Sequence, residues 1–335
     1  MIEQRLNALL KAVGDSERVL VLPHNDPDPD AIAGAVALGY LLATKLTIQA
    51  DIAYNGIIGR AENKALVRYL DYPLQRLTRR DLAGLVSIAL VDTQPGAGNN
   101  PLPAGHAPAI VIDHHPWHED TAKAAFVDVR SDVGATSTIL TEYLQAAAIE
   151  MPLSIATALF YGIKTDTMGL GRGASPSDAA AYFHLQPRID VDALVEIERA
   201  QVPAEYFRTL TAAIQAARIY GGIVVSYIGP IKYPDLAAEM ADLLLRLEGA
   251  QWVICMGLYQ GSLILAARTR SRRGGAGRLM RAVVGGQGTA GGHGIMAGGQ
   301  LPLRGRDPEQ TAHESGQRAL QLLKVPPDTL GKPVI

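Results

Sequence analysis

Five short apolar runs divide the first 130 residues, and the first, third and fourth are each followed within two residues by aspartate or histidine. The runs are residues 18–22 (RVLVL), 47–53, 85–91 (LVSIALV), 109–112 and 125–129, with helical patterns at 31–44 and 61–70 between the first three. Such alternation predicts a mostly parallel sheet covered by helices. The runs at 85–91 and 109–112 are apolar on both faces, as central strands require. Ligands of an open parallel sheet bind at the C-terminal ends of its strands, so polar residues placed there are the first candidates for chemistry.

Further helices are expected at 134–147, 153–166 and 178–184, and a helical stretch rich in Ala, Glu and Arg at 190–218 reads as a linker. Strands at 220–228, 251–259 and 262–269 with a helix at 236–247 form a second αβ unit. A glycine-rich stretch over 274–299 and a closing helix over 308–323 complete it. The expected fold is α/β: a parallel-sheet domain over 1–195, and a smaller α/β domain with its linker helix over 196–335. An active-site cleft is expected between them.

The net charge of −2 argues against coating long nucleic acid, single- or double-stranded, by bulk electrostatics. The single cysteine, Cys255, excludes a disulfide framework and a thiolate zinc site, and its neighbours (WVICM) read as a buried strand. No apolar run approaches a membrane span, and the first residues lack a signal-peptide core. A cytoplasmic protein without membrane contact is expected; a homodimer stays open.

Four clusters carry the candidate chemistry. The first is His24-Asn25-Asp26-Pro27-Asp28-Pro29-Asp30, just after the run RVLVL. Pro27 and Pro29 hold Asp26 and Asp28 extended, so Asp28 and Asp30, two apart, face one side. The plainer reading makes Asp30 the N-cap of the next helix. An EF-hand is excluded, since Ala31 and Ala37 stand where its glycine and glutamate belong. The second cluster is Asp92 alone, ending LVSIALV, which is also consistent with a turn former. The third is Asp113-His114-His115-Pro116, an acid beside a histidine pair at a strand end. The fourth is Asp166 in the apolar helical run ALFYGIKTDT, where burial demands a metal or a partner such as Lys164. Two divalent ions about 4 Å apart need a bridging carboxylate plus several oxygen and imidazole ligands. Without thiolates, such a set suits Mn²⁺ better than structural zinc.

The order H-x-x-P-D-x-D, V-D-T, D-H-H, T-D-T resembles the DHH phosphoesterases, and Gly291-Gly292-His293 resembles the glycine-histidine loop of the DHH-associated domain. Together the motifs span 24–299, and the resemblance is closest to bacterial nano-RNases and 3′,5′-bisphosphate nucleotide phosphatases. It implies one ion on His24, Asp28 and Asp92, and a second on Asp30, Asp92, His114 and Asp166. Asp92 would bridge, Asp113 would orient its neighbours, and His115 would face the scissile phosphate, giving Asp92, Asp113 and His115 the catalytic roles. Pro29 departs from the usual glycine between the motif acids, and Gln287-Gly288-Thr289-Ala290 stretches the glycine loop.

In the second half, Arg268, Arg270, Arg272 and Arg273, continued by Arg278 and Arg281, form the densest basic run. Arginine forks suit phosphate, although part of such a run is ordinary solvated surface. Arg268 and Arg270 are the expected substrate contacts, with Gly291, Gly292 and His293 beside them. The literal G-x-G-x-x-G at 286–291 follows a helical segment, which argues against a dinucleotide fingerprint. The expected activity is two-metal hydrolysis of short nucleotides: nano-RNA, linear pApA or pGpG, or pAp to AMP and phosphate. Cyclic dinucleotide hydrolysis and nucleotide sensing without turnover are the alternatives. Processive single-strand digestion is disfavoured, because no long basic track is apparent.

Overall fold

The computed structural model describes residues 2–82, 87–103, 105–271 and 273–335. Residues 85 and 86 of the expected third strand, Arg272 and the His293 side chain lie outside the described parts. The chain separates into two compact units, Met1–Ala200 and Gln201–Ile335. Residue 195 lies within a helix, Val191–Glu198.

In the first unit β1 (Arg18–Pro23), β2 (Gln49–Tyr54), β3 (Leu74–Arg76), β4 (Ser87–Val91), β5 (Ile110–Asp113) and β6 (Phe126–Val129) form one sheet. Its order is β3-β2-β1-β4-β5-β6, and every neighbouring pair is parallel. The chain runs outward from β1 to β3, returns to β4 beside β1, and runs outward again. Strand order therefore reverses between β1 and β4, and a crevice opens above their C-terminal ends.

Helices α1 (Ile2–Val13), α2 (Pro29–Leu46), α3 (Ala61–Leu70), α4 (Thr136–Ala146), α5 (Leu153–Asp166), α6 (Pro176–Leu185) and α7 (Val191–Glu198) accompany this sheet. Val19, Val21, Ile52, Ala89, Val91, Ile110 and Ile112 pack into one large core with apolar residues of these helices. The alternate strand residues Leu20, Leu22, Ile88, Leu90 and Val111 form a smaller cluster against Leu77, Leu82 and Leu102. Helix α2 is buried over most of its length because small residues let it lie close on the sheet. A Cβ at Gly34 would stand 2.9 Å from Val91 Cγ1, and one at Gly39 3.2 Å from Ile52 Cδ1. That close approach brings the start of α2 beside the end of β4.

At the outer strand, Asp128 is fully buried and accepts from Tyr143 Oη at 2.6 Å and Arg130 Nη2 at 2.7 Å, and it also pairs with Arg5 of α1. A buried carboxylate so surrounded anchors α1 and α4 to the sheet edge.

In the second unit α8 (Ala204–Ala216) precedes a sheet of order β11-β12-β10-β9-β8-β7-β13. Its strands are β7 (Arg218–Tyr220), β8 (Ile223–Pro230), β9 (Trp252–Tyr259), β10 (Ser262–Thr269), β11 (Thr289–His293), β12 (Met296–Pro302) and β13 (Lys332–Pro333). Only β8 and β9 pair in parallel. One apolar cluster joins the sheet to α8 and α9 (Asp235–Leu244), and another joins it to α10 (Ala276–Val284) and α11 (Pro308–Leu322). The linker expected as one helical stretch over 190–218 is two helices, because Pro203 cannot continue α7 and instead precedes α8. The glycine-rich stretch resolves into α10 and the β11–β12 hairpin. A Cβ at Gly277 would overlap the Gly292 carbonyl, so glycine lets α10 lie directly on β11. No helix among the described residues is long and apolar enough to cross a membrane.

Candidate metal centre

Above the β1–β4 crevice the structure gathers His24, Asp28, Asp30, Asp92, His114 and Asp166, which come from four separated segments. Their ligand atoms fall into overlapping groups, each within 4.8 Å: His24, Asp28 and Asp92; Asp30, His114 and Asp166; and Asp92, His114 and His115. His24 follows β1, with Nε2 at 3.7 Å from Asp28 Oδ1 and 3.5 Å from Asp92 Oδ2. His114 follows β5, with Nε2 at 3.5 Å from Asp92 Oδ1 and 3.4 Å from Asp166 Oδ2. Thus the two oxygens of Asp92 face two different imidazoles.

Asp92 is almost fully buried and takes a left-handed backbone, φ 59°, which aspartate tolerates better than most residues. Its N–H donates to Ile112 O at 2.9 Å, and Thr136 Oγ1 donates to its Oδ1 at 2.8 Å. Asp28, not Asp30, caps α2, accepting from Ala31 N at 3.1 Å. Asp26 takes φ 54° rather than the expected extended backbone, and the segment read over 26–30 gives way to helix two residues early, because Pro29 is ready-made for the first helical position. Asp30 enters the helix and reaches the N-terminus of α4, accepting from Thr136 N at 2.7 Å and Ser137 N at 2.8 Å. Each of its oxygens keeps a lone pair for a ligand. Lys164 is not the partner of Asp166, since it pairs with Glu198. Arg172 Nη2 instead donates to the Asp166 carbonyl at 2.7 Å.

Two observations test whether these side chains fit cations. His24 Nδ1 lies 2.7 Å from Asn25 O and His114 Nδ1 lies 3.4 Å from Val133 O. A carbonyl only accepts, so in the neutral ring each Nδ1 carries the proton and Nε2 turns a lone pair toward carboxylates. His114 Nε2 is buried without a hydrogen-bond partner. Lone pair against carboxylate is repulsive unless a cation stands between them. Ligands about 2.0–2.2 Å from one ion stand roughly 3.0–3.5 Å apart, which matches the closest distances above. The set fits divalent metal.

Electrostatics agree. Burial and the Asp92 charge push the Asp30 carboxyl up to about 7, and burial with the charges of Asp28, Asp30 and Asp92 raises Asp166 strongly. Burial alone would lower His24, but the hydrogen bond and charge of Asp28 and the charge of Asp92 carry it up to about 10. Without metal, the pocket holds protons in place of cations.

Residue Gln94 organises the neighbouring loop, and nothing in the local sequence marks it. Its side-chain amide is buried, and Nε2 donates to Asp113 Oδ2 at 2.6 Å and Pro116 O at 3.0 Å. Its Oε1 accepts from His118 N and Thr121 Oγ1, both at 2.9 Å. Asp113 Oδ1 in turn accepts from His114 N and His115 Nδ1, both at 2.8 Å. The chain Gln94–Asp113–His115 fixes Nδ1 of the partly exposed His115 as a protonated nitrogen. Burial opposes the proton on His115, but Asp113 and Asp92 outweigh it and carry the group up to about 9.

Gly162 on α5 lies under Asp30. A Cβ there would overlap the Ser137 hydroxyl and stand 3.1 Å from Asp30 Oδ1. Gly162→Ala should therefore destabilise the first unit by about 1–3 kcal/mol, as overpacking does. Urea denaturation of both proteins measures this, and equal midpoints would contradict it.

In the second unit Arg268 is buried, its Nε donating to Asp242 Oδ1 at 2.5 Å, while Arg270 donates from Nε and Nη2 to Leu245 O at 3.1 and 3.0 Å. Gly292 has φ 128° and a Cβ there would stand 2.5 Å from Ala297 Cα, so hairpin packing requires that glycine. Gly291 faces open space.

Comparison with known proteins places this architecture. The family model for the DHH family, N-terminal domain, matches residues 18–163. An uncharacterized protein of Methanocaldococcus jannaschii is 38% identical over 286 residues, covering 85% of this chain and 58% of that one. A cyclic-di-AMP phosphodiesterase of Geobacillus thermodenitrificans is 28% identical over 308 residues, covering 82% of this chain and 46% of that one. The chain thus spans about half the length of these curated relatives. Among solved structures, an exopolyphosphatase-related protein from Bacteroides fragilis shares the fold, with a TM-score of 0.69 at 13% identity over 95% of this chain and 96% of that one. Residues 18–163, which carry five of the six gathered side chains, belong to the DHH family as its N-terminal domain.

Proposed function

We propose that the chain is a phosphoesterase that uses two divalent cations, Mn²⁺ by the chemistry of its donors, to hydrolyse short nucleotides. The observation that carries this reading is the Asp92 carboxylate, whose Oδ2 and Oδ1 each lie 3.5 Å from a separate imidazole Nε2, that of His24 and that of His114. One cation would sit on His24, Asp28 and Asp92, the other on Asp30, Asp92, His114 and Asp166. Bound there, the pair supplies acidified water and neutralises charge on the phosphoryl oxygens. Thr136 holds the bridging carboxylate, and the N-terminus of α4 holds Asp30. His115, oriented by Asp113 and Gln94, offers an N–H from Nε2 to a phosphate oxygen, an interaction that strengthens as charge develops. Arg268, Arg270, Gly291, Gly292 and His293 are the proposed contacts for the rest of the nucleotide.

The mixed carboxylate and imidazole set, free of thiolate, favours Mn²⁺. A net charge of −2 offers little to a long strand, which favours substrates of two to about five nucleotides or pAp. The test is incubation with Mn²⁺ and pAp, linear pApA, pGpG, a 20-mer RNA and cyclic di-AMP, with products separated by chromatography. Release of 5′-mononucleotide from the short linear substrates, or AMP and phosphate from pAp, is expected, with kcat/KM falling for the 20-mer. Cleavage of cyclic di-AMP alone would move the assignment to cyclic dinucleotides. Binding without product would make the chain a sensor.

A further inference from the structure

The segment that carries His115 continues into Trp117, and the two differ sharply in how they are held. The backbone on both sides of Trp117 is clamped to one buried side chain: Gln94 Nε2 donates to Pro116 O at 3.0 Å, and His118 N donates to Gln94 Oε1 at 2.9 Å. Thr121 Oγ1 donates to the same Oε1 at 2.9 Å, so the turn is fixed beyond the tryptophan as well. The acceptors facing Nε2 and the donors facing Oε1 admit only one orientation of this amide. Yet Trp117 is 54% exposed. An exposed aromatic on a fixed backbone has little conformational freedom to lose when a flat partner stacks on it.

Trp117 lies two positions beyond His115, a backbone reach of at most about 7 Å. His115 Nδ1 lies 3.6 Å from Asp92 Oδ1, so the same turn touches the metal centre. A phosphate held at that centre carries its own nucleoside a comparable distance away. From this we infer that Trp117 is a stacking platform for the nucleobase adjacent to the phosphate at the metal centre. The platform recognises a planar heteroaromatic face rather than a particular base, since every base offers such a face. This inference rests on the nucleotide phosphoesterase reading above and adds to it the element that separates nucleotides from other phosphate esters.

The experiment uses the full chain carrying Trp252→Phe, which leaves Trp117 as the sole indole; Trp252 starts β9 in the other unit. Indole emission is followed in Ca²⁺ while AMP or ribose 5-phosphate is added. The two ligands share a phosphate and a sugar and differ in the base. AMP should quench emission saturably, and ribose 5-phosphate should not. In a calorimetric titration, Trp117→Ala should weaken AMP about five- to hundred-fold, the range that follows from loss of one base–aromatic stack, and shift ribose 5-phosphate far less. Trp117→Phe should recover part of the AMP loss. AMP that binds without quenching, equal losses for both ligands, or no binding of AMP at all would overturn the inference. Failure of the two proposals is separable. A chain that hydrolyses the short nucleotides but shows no AMP quench loses only the platform. A chain that stacks AMP on Trp117 but turns over none of them loses only the hydrolase reading.

Discussion

Asp92→Asn should lower kcat for short nucleotides by several orders of magnitude and leave the protein folded. Asparagine keeps the shape of the side chain, tolerates the left-handed backbone at φ 59° and still accepts from Thr136 Oγ1. What it removes is the charge between two imidazoles and one of the two oxygens able to bind metal. Asp92→Ala should fall as far in rate but add backbone strain and leave the Thr136 hydroxyl without its acceptor, so the asparagine variant is the cleaner test. In chelator the variant should melt at the same temperature or higher. Removal of the Asp92 charge relieves the repulsion that raises Asp30 and Asp166, and such gain in stability with loss of activity is expected where charges are crowded for function. The measurements are single-turnover hydrolysis in Mn²⁺ and thermal unfolding in chelator. Near-normal turnover would remove Asp92 from the centre of the mechanism. A collapse in melting temperature would mean that its role is structural.

The second large effect is a pH dependence that metal cancels. In the folded, metal-free chain Asp30 and Asp166 bind protons more tightly than an unfolded chain does, near pH 4. Their protonated forms stabilise the fold at low pH; the Asp30 contribution is lost as pH rises from about 4 through 7, and that of Asp166 is lost as pH rises through its own raised value. His24, up to about 10, and His115, up to about 9, also bind protons more tightly when folded. Their contribution is complete below about pH 6.5 and is lost as pH rises through 9 to 10. All four act in one direction, so the melting temperature in chelator should fall as pH rises from about 5 to 8.5. Mn²⁺ takes the place of these protons and releases them, so its stabilisation should grow over the same range. A site filled to 100 times its dissociation constant contributes about 2.7 kcal/mol. A melting temperature that rises between pH 6 and 8 in chelator, or a Mn²⁺ shift independent of pH, would contradict this assignment of charges.

Much of the scaffold was legible because burial writes itself into periodicity. Helix α5 and strand β10 begin and end where the residues predict, at Leu153–Asp166 and Ser262–Thr269. Pro152 sets the start of the first, and every residue of the second is buried. The hairpin β11–β12 and α10 were not legible, since glycines chosen for close contact between helix and strand erase the apolar pattern that identifies either. The spacing of acids and histidines pointed to a shared centre, but not to how it is held. Thr136 and Gln94 act on Asp30, Asp92 and Asp113, which lie 19 to 106 residues away in sequence. A buried threonine or glutamine carries no local mark of such a role. Asp28 and Asp30 show the converse: local rules predicted one extended segment, and Pro29 started a helix inside it.

The two-cation centre is tested most directly by anomalous diffraction from crystals soaked in Mn²⁺. The account predicts two peaks flanking the Asp92 carboxylate, one within bonding distance of His24 and Asp28, the other within bonding distance of Asp30, His114 and Asp166. A single peak, or manganese only at sites away from Asp92, would contradict it.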